Sequence, residues 1–212
     1  MKKYLIFDLD GTLIKSTESI VEIVVDFISA HFWNDFDEKI RYVLSNTKWT
    51  ALKKQLHMIL WDVENIDKIN EDLYKKIMVS QKSDFIRGAK EKLHDLEEKY
   101  TLFLSTANST ESAKKILKDG WVDTLFAIIL WSEKILKWPD HIKIFEEYTR
   151  DRFFIEDTIY IGDGEKDREI AMKFWIDFIH VWSDNIDTYE IPSIRYIWPL
   201  LDEINAKYPW NL

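Results

Sequence analysis

Two aspartates one residue apart, Asp8 and Asp10, follow an apolar segment at the start of the chain. Four of the five residues from Lys3 to Phe7 are apolar, which is typical of a strand buried on both faces of a parallel sheet. Ligands of such sheets bind beyond the carboxyl ends of the strands. Residues two apart on a strand point the same way, and two close carboxylates repel unless a cation or a shared proton relieves them. The pair therefore predicts a metal site, an acid/base pair or both; the alternative is an acidic turn after a strand.

A second group of carboxylates follows a later apolar segment, Thr158–Ile161. Asp163 comes just after this segment, and Asp167 follows one helical turn later. We expect Asp163 at the same sheet edge as Asp8 and Asp10, because the carboxyl ends of parallel strands meet at one edge. Three or four carboxylates from two strands form a hard oxygen site that suits Mg²⁺. The alternative is that Asp163 and Asp167 only cap a helix.

Hydroxyl and lysine side chains follow two further predicted strands. Ser105 and Thr106 lie at a strand-to-helix turn, where hydroxyls and backbone N–H groups are natural phosphate ligands. A simple helix N-cap is the alternative for this turn. Lys134 and Lys137 precede a helix that begins at Pro139. A lysine there would neutralise a phosphate and hold an aspartate ionised, whereas the alternative is a solvated surface charge.

The hydrophobic pattern changes along the chain, and this change predicts the fold. Residues 16–83 have helical patterns only, in segments near 16–32, 36–45, 48–61 and 66–81. From residue 84 strands alternate with helices, which implies βαβ units and a parallel sheet. The predicted helices span 88–99, 111–119, 139–149, 166–174 and 200–207, and the strands span 101–105, 125–130, 158–162 and 178–182. We predict an α/β fold: a Rossmann-like, doubly wound parallel sheet core with an all-helical domain inserted after the first strand.

Composition excludes several classes of function. The 212-residue chain has a net charge of −9 and a pI of about 5.1, which argues against nucleic-acid binding. It has no cysteine, which excludes disulfides, zinc–thiolate sites and a cysteine nucleophile. No apolar run reaches the length of a membrane span, and Asp8 interrupts the first run too early for a signal peptide. We expect a cytoplasmic protein without membrane or nucleic-acid partners.

In chain order the four strand ends supply Asp-x-Asp, Ser, Lys and Asp-x-x-x-Asp, and this order resembles the haloacid dehalogenase-like (HAD) superfamily. The segments 8–12 (Asp-Leu-Asp-Gly-Thr) and 162–167 (Gly-Asp-Gly-Glu-Lys-Asp) carry the resemblance most specifically. The chain looks like the phosphatase branch with a helical cap after the first strand, which includes phosphoglycolate phosphatase-like proteins. The resemblance implies a catalytic core of residues 1–15 and 84–212 and a cap domain of residues 16–83.

The resemblance also implies a role for each motif residue. Asp8 would attack phosphorus to form an aspartyl-phosphate, and Asp10 would serve as general acid and then as general base. The implied phosphate-binding residues are Asp8, Gly11, Thr12, Ser105, Thr106 and Lys137, and the implied Mg²⁺ ligands are Asp8, the Asp10 carbonyl, Asp163 and Asp167. Many relatives read Lys-Pro-x-Pro-Asp where this chain has Lys137-Trp138-Pro139-Asp140. We therefore predict Lys137 as the active-site lysine, with Lys134 as the alternative.

Asp10 discriminates among the reactions of the superfamily. The haloalkanoate dehalogenases lack an acid at this position, and the phosphonate hydrolases typically carry alanine there. Asp10 therefore favours hydrolysis of a small-molecule phosphate monoester. Two alternatives stay open: a phosphomutase, which retains the same residues, and a non-enzymatic phospho-acceptor such as a receiver domain, which is smaller and lacks a helical insert.

The chain has ten tryptophans but only five glycines, where an average usage near 7% would give about fifteen glycines. Trp121 and Trp175 follow predicted helices, at the position where a left-handed glycine commonly ends a helix. Trp33 follows the first predicted helix of the insert, Trp131 and Trp182 end predicted strands, and Trp138 replaces a small or turn residue beside Lys137. Relatives of the superfamily commonly carry glycine at several such places. We predict that many of these residues are natural glycines encoded by UGA and that Trp121 and Trp175 have positive φ. The alternative is an ordinary aromatic core in which Trp49, Trp61 and Trp198 pack.

Overall fold

A computed structural model describes residues 1–32, 36–47, 52–61, 63–80, 85–108, 110–131, 139–181, 190–192 and 194–207. The chain divides into two compact units. The core unit comprises Met1–Ile14 and Ser83–Leu212, and the insert unit comprises Lys15–Lys82. Within the described residues, every helix is too short or too polar to cross a lipid bilayer.

Strands and helices follow one another along the chain as the hydrophobic pattern predicts. The elements are β1 (Tyr4–Phe7), α1 (Ser16–His31), α2 (Asp37–Asn46), α3 (Leu52–Leu60), α4 (Ile66–Ser80), α5 (Ala89–Glu97), β2 (Thr101–Thr106), α6 (Thr110–Gly120), β3 (Phe126–Trp131), α7 (Pro139–Thr149), β4 (Thr158–Gly162), α8 (Glu165–Phe174), β5 (Asp177–Val181), β6 (Glu190–Ile191) and α9 (Ile197–Lys207). Short 3-10 helices precede β3 and α9.

The strands of the core unit form one six-stranded sheet in the order β3-β2-β1-β4-β5-β6. All neighbouring strands are parallel, and Phe7 at the end of β1 is level with Leu104 of β2 and Ile161 of β4. The order reverses between β1 and β4, because the chain adds β2 and β3 on one side of β1 and β4 to β6 on the other. This is the predicted doubly wound sheet, and its switch point lies between β1 and β4.

Helices cover both faces of the sheet, which explains why β1 is apolar throughout. Leu5 and Phe7 point to the face that packs against α5, α6 and α9, whereas Ile6 points to the face that packs against α7 and α8. All three side chains are fully buried. Alternating side chains therefore enter two separate hydrophobic cores, as the burial of a parallel sheet requires.

The insert unit consists of α1 to α4 around a core of its own. Buried aliphatic side chains from each helix form this core, among them Val24, Ile40, Leu56 and Leu73. The apolar residues recur at helical spacing, so each helix presents one stripe to the others. The described part of residues 15–82 is thus all-helical, as predicted.

The structure differs from the prediction near the C-terminus. Helix α9 begins at Ile197, three residues before the predicted start, and contains Pro199 as its third residue. Proline is tolerated there because the first N–H groups of a helix have no partner within the helix. The two-residue strand β6 was not predicted.

Trp121 and Trp175 both have a φ of 60°, which confirms their predicted positive φ. The alternative of an ordinary aromatic core does not hold for Trp61, which also has a φ of 60° and is 73% exposed. Trp198 packs, as that alternative has it, with its ring 6.3 Å from that of Tyr100. Four other tryptophans named above lie outside the described residues: Trp33, Trp49, Trp138 and Trp182.

Candidate active site

Three carboxylates meet at the carboxyl ends of β1 and β4. Asp8 directly follows β1, Asp163 directly follows β4, and Asp167 lies in the first turn of α8. One oxygen atom from each carboxylate lies within 4.8 Å of the other two. The cluster therefore occupies the switch point of the sheet, where open α/β folds bind ligands.

Asp8 is held by the sheet itself. Its backbone N–H donates to the carbonyl of Ile161 over 2.9 Å, which extends the pairing of β1 with β4 by one residue. The side chain is only 4% exposed. A carboxylate this buried needs compensating positive charge or hydrogen-bond donors to stay ionised, and it shares its surroundings with two further carboxylates.

A tight turn after β1 brings the backbone of Gly11 against Asp163. Gly11 has a φ of +77°, and its N–H donates to the carbonyl of Ile14 over 2.9 Å. A Cβ atom at Gly11 would lie 2.1 Å from Oδ2 of Asp163. Glycine is required here for the left-handed backbone and for this close approach.

Asp10 has a hydrogen-bond partner outside the cluster. Its Oδ2 atom accepts a hydrogen bond of 2.6 Å from Nδ2 of Asn108, which lies just beyond the end of β2. Asp10 is partly exposed, whereas Asp8 is buried. The two aspartates predicted as a pair therefore have different partners and different access to solvent. The role of Asn108 was not predicted, because its only signal in the sequence is its place beyond a strand end.

Asp167 both caps a helix and contributes to the cluster. Its Oδ1 accepts a hydrogen bond from the Tyr160 hydroxyl over 3.1 Å, and its Oδ2 accepts one from the Gly164 N–H over 3.3 Å. The side chain is 3% exposed. The two alternatives for this residue are thus compatible, because the cap fixes the carboxylate beside Asp163.

His180 holds the backbone that carries Asp163. Its Nε2 atom lies 3.0 Å from the Asp163 carbonyl oxygen, so the ring donates to that oxygen. His180 is buried in β5, which neighbours β4. The role of His180 was not predicted, because a lone histidine in an apolar strand gives no signal of such a contact.

Buried hydroxyl groups lie at the same sheet edge. The Ser105 Oγ atom is 2.9 Å from Nδ1 of His141, a fully buried residue of α7. Thr106 Oγ1 accepts a hydrogen bond from the Asn108 N–H over 3.1 Å. Thr12 Oγ1 is buried and has no hydrogen-bond partner among the residues that the structure describes. Lys134 and Lys137 lie in the segment 132–138, outside the described residues.

The donor set of the cluster fits a hard divalent cation. Carboxylate oxygens are the preferred protein ligands of Mg²⁺, which binds through one or two carboxylates and keeps other positions for water or phosphate. Asp8, Asp163 and Asp167 supply these oxygens from two rigid strand ends and a helix turn. The arrangement can therefore place a cation beside a buried carboxylate.

The family model of the haloacid dehalogenase-like hydrolases matches residues 5–181 of the chain. This match spans the sheet from β1 to β5, together with the insert unit. The chain belongs to the haloacid dehalogenase-like hydrolases. It is an enzyme of this family, as the order of its motifs predicts.

Solved structures of this superfamily share the architecture of this HAD hydrolase. A phosphatase candidate from Clostridium difficile has a TM-score of 0.78 and 21% identity, with 94% of this chain and 98% of that chain covered. A predicted phosphoglycolate phosphatase from Haemophilus somnus has a TM-score of 0.76 and 16% identity, with 94% and 98% covered. The HAD-hydrolase candidate YfnB from Bacillus subtilis, which is bound to magnesium, has a TM-score of 0.72 and 18% identity, with 95% and 99% covered. At these identities the likeness shows the fold.

No curated protein matches the sequence at a significant level.

Proposed function

We propose that this HAD hydrolase is a Mg²⁺-dependent phosphatase that hydrolyses a small-molecule phosphate monoester through an aspartyl-phosphate on Asp8. One observation carries the proposal. The carboxylates of Asp8, Asp163 and Asp167 cluster, while the Asp10 carboxylate accepts a hydrogen bond from the Asn108 amide. A cation site beside one carboxylate and a separate acid/base carboxylate are what phosphate ester chemistry needs.

Asp8 is the proposed nucleophile. Its carboxylate oxygen would attack phosphorus, forming the Asp8–phosphorus bond as the bond from phosphorus to the leaving alkoxide breaks. Bound Mg²⁺ would supply positive charge that offsets the repulsion between this carboxylate and an anionic substrate. The proposed ligands are Asp8, the backbone carbonyl of Asp10, Asp163 and Asp167.

Asp10 is the proposed general acid and base. It would give its proton to the leaving alkoxide, then take a proton from the water that attacks the aspartyl-phosphate. This second step releases inorganic phosphate and restores the Asp8 carboxylate. Asn108 donates to Oδ2 of Asp10 and so helps to orient the carboxylate for this proton transfer.

The phosphoryl group would be bound by backbone and hydroxyl donors at the two strand ends. We assign this role to Gly11, Thr12, Ser105 and the backbone N–H of Thr106, with Lys137 as the cation and Lys134 as its alternative. The buried Thr12 hydroxyl supports the assignment, since it lacks a hydrogen-bond partner within the described part of the chain. Charge develops on the phosphoryl oxygens in the transition state, so donors fixed there contribute to the rate.

A panel of metabolite phosphates tests the proposal. We expect Mg²⁺-dependent release of inorganic phosphate from at least one small phosphate monoester, abolished by EDTA and restored by added Mg²⁺. Asp8→Asn is expected to lose essentially all turnover, because an amide is a poor nucleophile. The matched control Asp202→Asn, an exposed residue of α9, is expected to retain activity. Hydrolysis that survives EDTA or Asp8→Asn would contradict the mechanism.

The products distinguish the alternatives. A phosphomutase would convert a sugar phosphate into its isomer without net release of phosphate. A phospho-acceptor would take up one phosphoryl group and show no turnover. Both outcomes would overturn the proposed phosphatase activity.

A further inference from the structure

Among the described residues, three exposed tryptophans end helices with a left-handed backbone. Trp61, Trp121 and Trp175 follow α3, α6 and α8, and each has a φ of 60°. Their side chains are 73%, 82% and 90% exposed, respectively. These residues therefore combine a backbone that disfavours any Cβ atom with a large apolar side chain in water.

The end of α8 has the hydrogen bonds of a Schellman motif with Trp175 at the glycine position. The Trp175 N–H donates to the Met172 carbonyl over 3.2 Å, and the Ile176 N–H donates to the Ala171 carbonyl over 2.9 Å. Ile176 and Ala171 are buried in the same hydrophobic core. This pair of bonds with its hydrophobic contact is the helix end that most often carries glycine at the left-handed residue.

The end of α6 repeats the same arrangement around Trp121. The Trp121 N–H donates to the Lys118 carbonyl and the Val122 N–H donates to the Leu117 carbonyl, each over 3.1 Å. Val122 and Leu117 are fully buried in one core. Two unrelated helices thus end in the same motif, and both carry tryptophan where the motif favours glycine.

The end of α3 is a simpler left-handed cap. The Trp61 N–H donates to the His57 carbonyl over 3.1 Å, which is the single bond of the αL motif. Trp198 provides the contrast, because it lies inside α9 and packs against the core. The other non-glycine residues with positive φ within the described ranges are Asn65 and Arg150. Asparagine adopts this left-handed conformation readily. Arg150 shows that another residue with a Cβ atom can also adopt it, although the Cβ atom makes this conformation sterically unfavourable.

We propose that the natural residue at positions 61, 121 and 175 is glycine, encoded by UGA. UGA is a stop codon in the standard genetic code, and variant codes read it as tryptophan or as glycine. Reading a glycine codon as tryptophan would remove glycines and add tryptophans in equal number. The chain has ten tryptophans, and its five glycines fall about ten short of average usage. The residue counts and the positive φ angles are thus two independent observations that support glycine in place of tryptophan.

The coding sequence gives the first test. We expect UGA at all three positions, and we expect peptides of the protein isolated from its natural host to carry glycine there. UGG codons at these positions would overturn the proposal.

Thermal stability gives the second test, which uses Trp121 and Trp175 because both lie in the core unit. Trp175→Gly and Trp121→Gly should each raise Tm by about 2–4 °C, the shift that relief of a strained backbone would give in a chain of this size. Trp175→Ala and Trp121→Ala are the matched controls, because alanine removes the same exposed ring but keeps the Cβ atom. Trp198→Gly should lower Tm, since it deletes a packed ring. Glycine variants no more stable than their alanine controls would also overturn the proposal.

Discussion

The Asn108 amide and the Asp10 carboxylate form a 2.6 Å hydrogen bond between residues 98 positions apart in the chain. Asn108 follows β2 and Asp10 follows β1, so the bond ties together the loops of two neighbouring strands. The Asn108 N–H also donates to Thr106 Oγ1, which fixes the loop that carries the amide. Asn108 therefore orients Asp10 from outside the carboxylate cluster.

Replacing Asn108 is expected to slow catalysis without removing any proposed catalytic group. Asn108→Ala deletes the donor to Oδ2 of Asp10, and we expect kcat to fall about tenfold, since hydrogen bonds to charged groups contribute roughly 1.5–3 kcal/mol. KM should change less, because the substrate contacts remain. Steady-state kinetics on an alkyl phosphate measures both constants. The control is Asn205→Ala, which removes a similar amide bonded to Tyr100 at the other end of the sheet and should leave kcat unchanged.

Asp10 itself is expected to matter most for poor leaving groups. Asp10→Asn keeps the side-chain shape and the backbone carbonyl but cannot transfer a proton. The loss of kcat should be about 10²–10⁴-fold on an alkyl phosphate and clearly smaller on p-nitrophenyl phosphate, whose leaving group needs little protonation. The ratio of the two losses is the measurement. Equal losses on both substrates would argue against the acid role.

Mg²⁺ binding can be measured without substrate. A ligand at 100 times its Kd stabilises the folded state by about 2.7 kcal/mol, so saturating Mg²⁺ should raise Tm by several degrees. Asp163→Asn removes charge from the cluster and should abolish most of this shift, whereas Asp202→Asn should retain it. An equal Mg²⁺ shift in Asp163→Asn and in the unaltered protein would place the cation elsewhere.

The place of a residue in the fold was predictable where a local sequence pattern determines it. Asp8 and Asp163 follow apolar strands, and parallel strands bring such residues to one edge, so their proximity was predictable. Asn108 and His180 were missed because their roles depend on side-chain contacts with residues far along the chain. The early start of α9 was missed because Pro199 resembles a helix breaker, although its place in the first turn is permitted.

Ser105 provides a test of which hydroxyl binds phosphate. Its Oγ atom lies 2.9 Å from the buried His141 Nδ1, whereas Thr106 Oγ1 accepts a bond from the Asn108 N–H. If Ser105 binds the phosphoryl group, Ser105→Ala should raise KM about tenfold, since one hydrogen bond to a charged group is lost. Thr106→Val is the matched comparison, because the proposed contact of residue 106 is its backbone N–H, which valine keeps. The KM of this variant should stay nearly unchanged.

The contact with His141 separates phosphate binding by Ser105 from a structural role. His141→Phe removes the partner of Ser105 but keeps a ring in the core beside Phe145, so it should lower Tm while KM rises less than in Ser105→Ala. Ser105→Ala leaves His141 Nδ1 without this partner and should also lower Tm, because an unsatisfied buried group costs about 1–3 kcal/mol. A variant set in which Ser105→Ala lowers only Tm, while Thr106→Val raises KM, would transfer the phosphate-binding role to the Thr106 hydroxyl. The combination of KM and Tm therefore assigns the hydroxyl, since the loss of a direct contact with the substrate raises KM more than the loss of a supporting contact does.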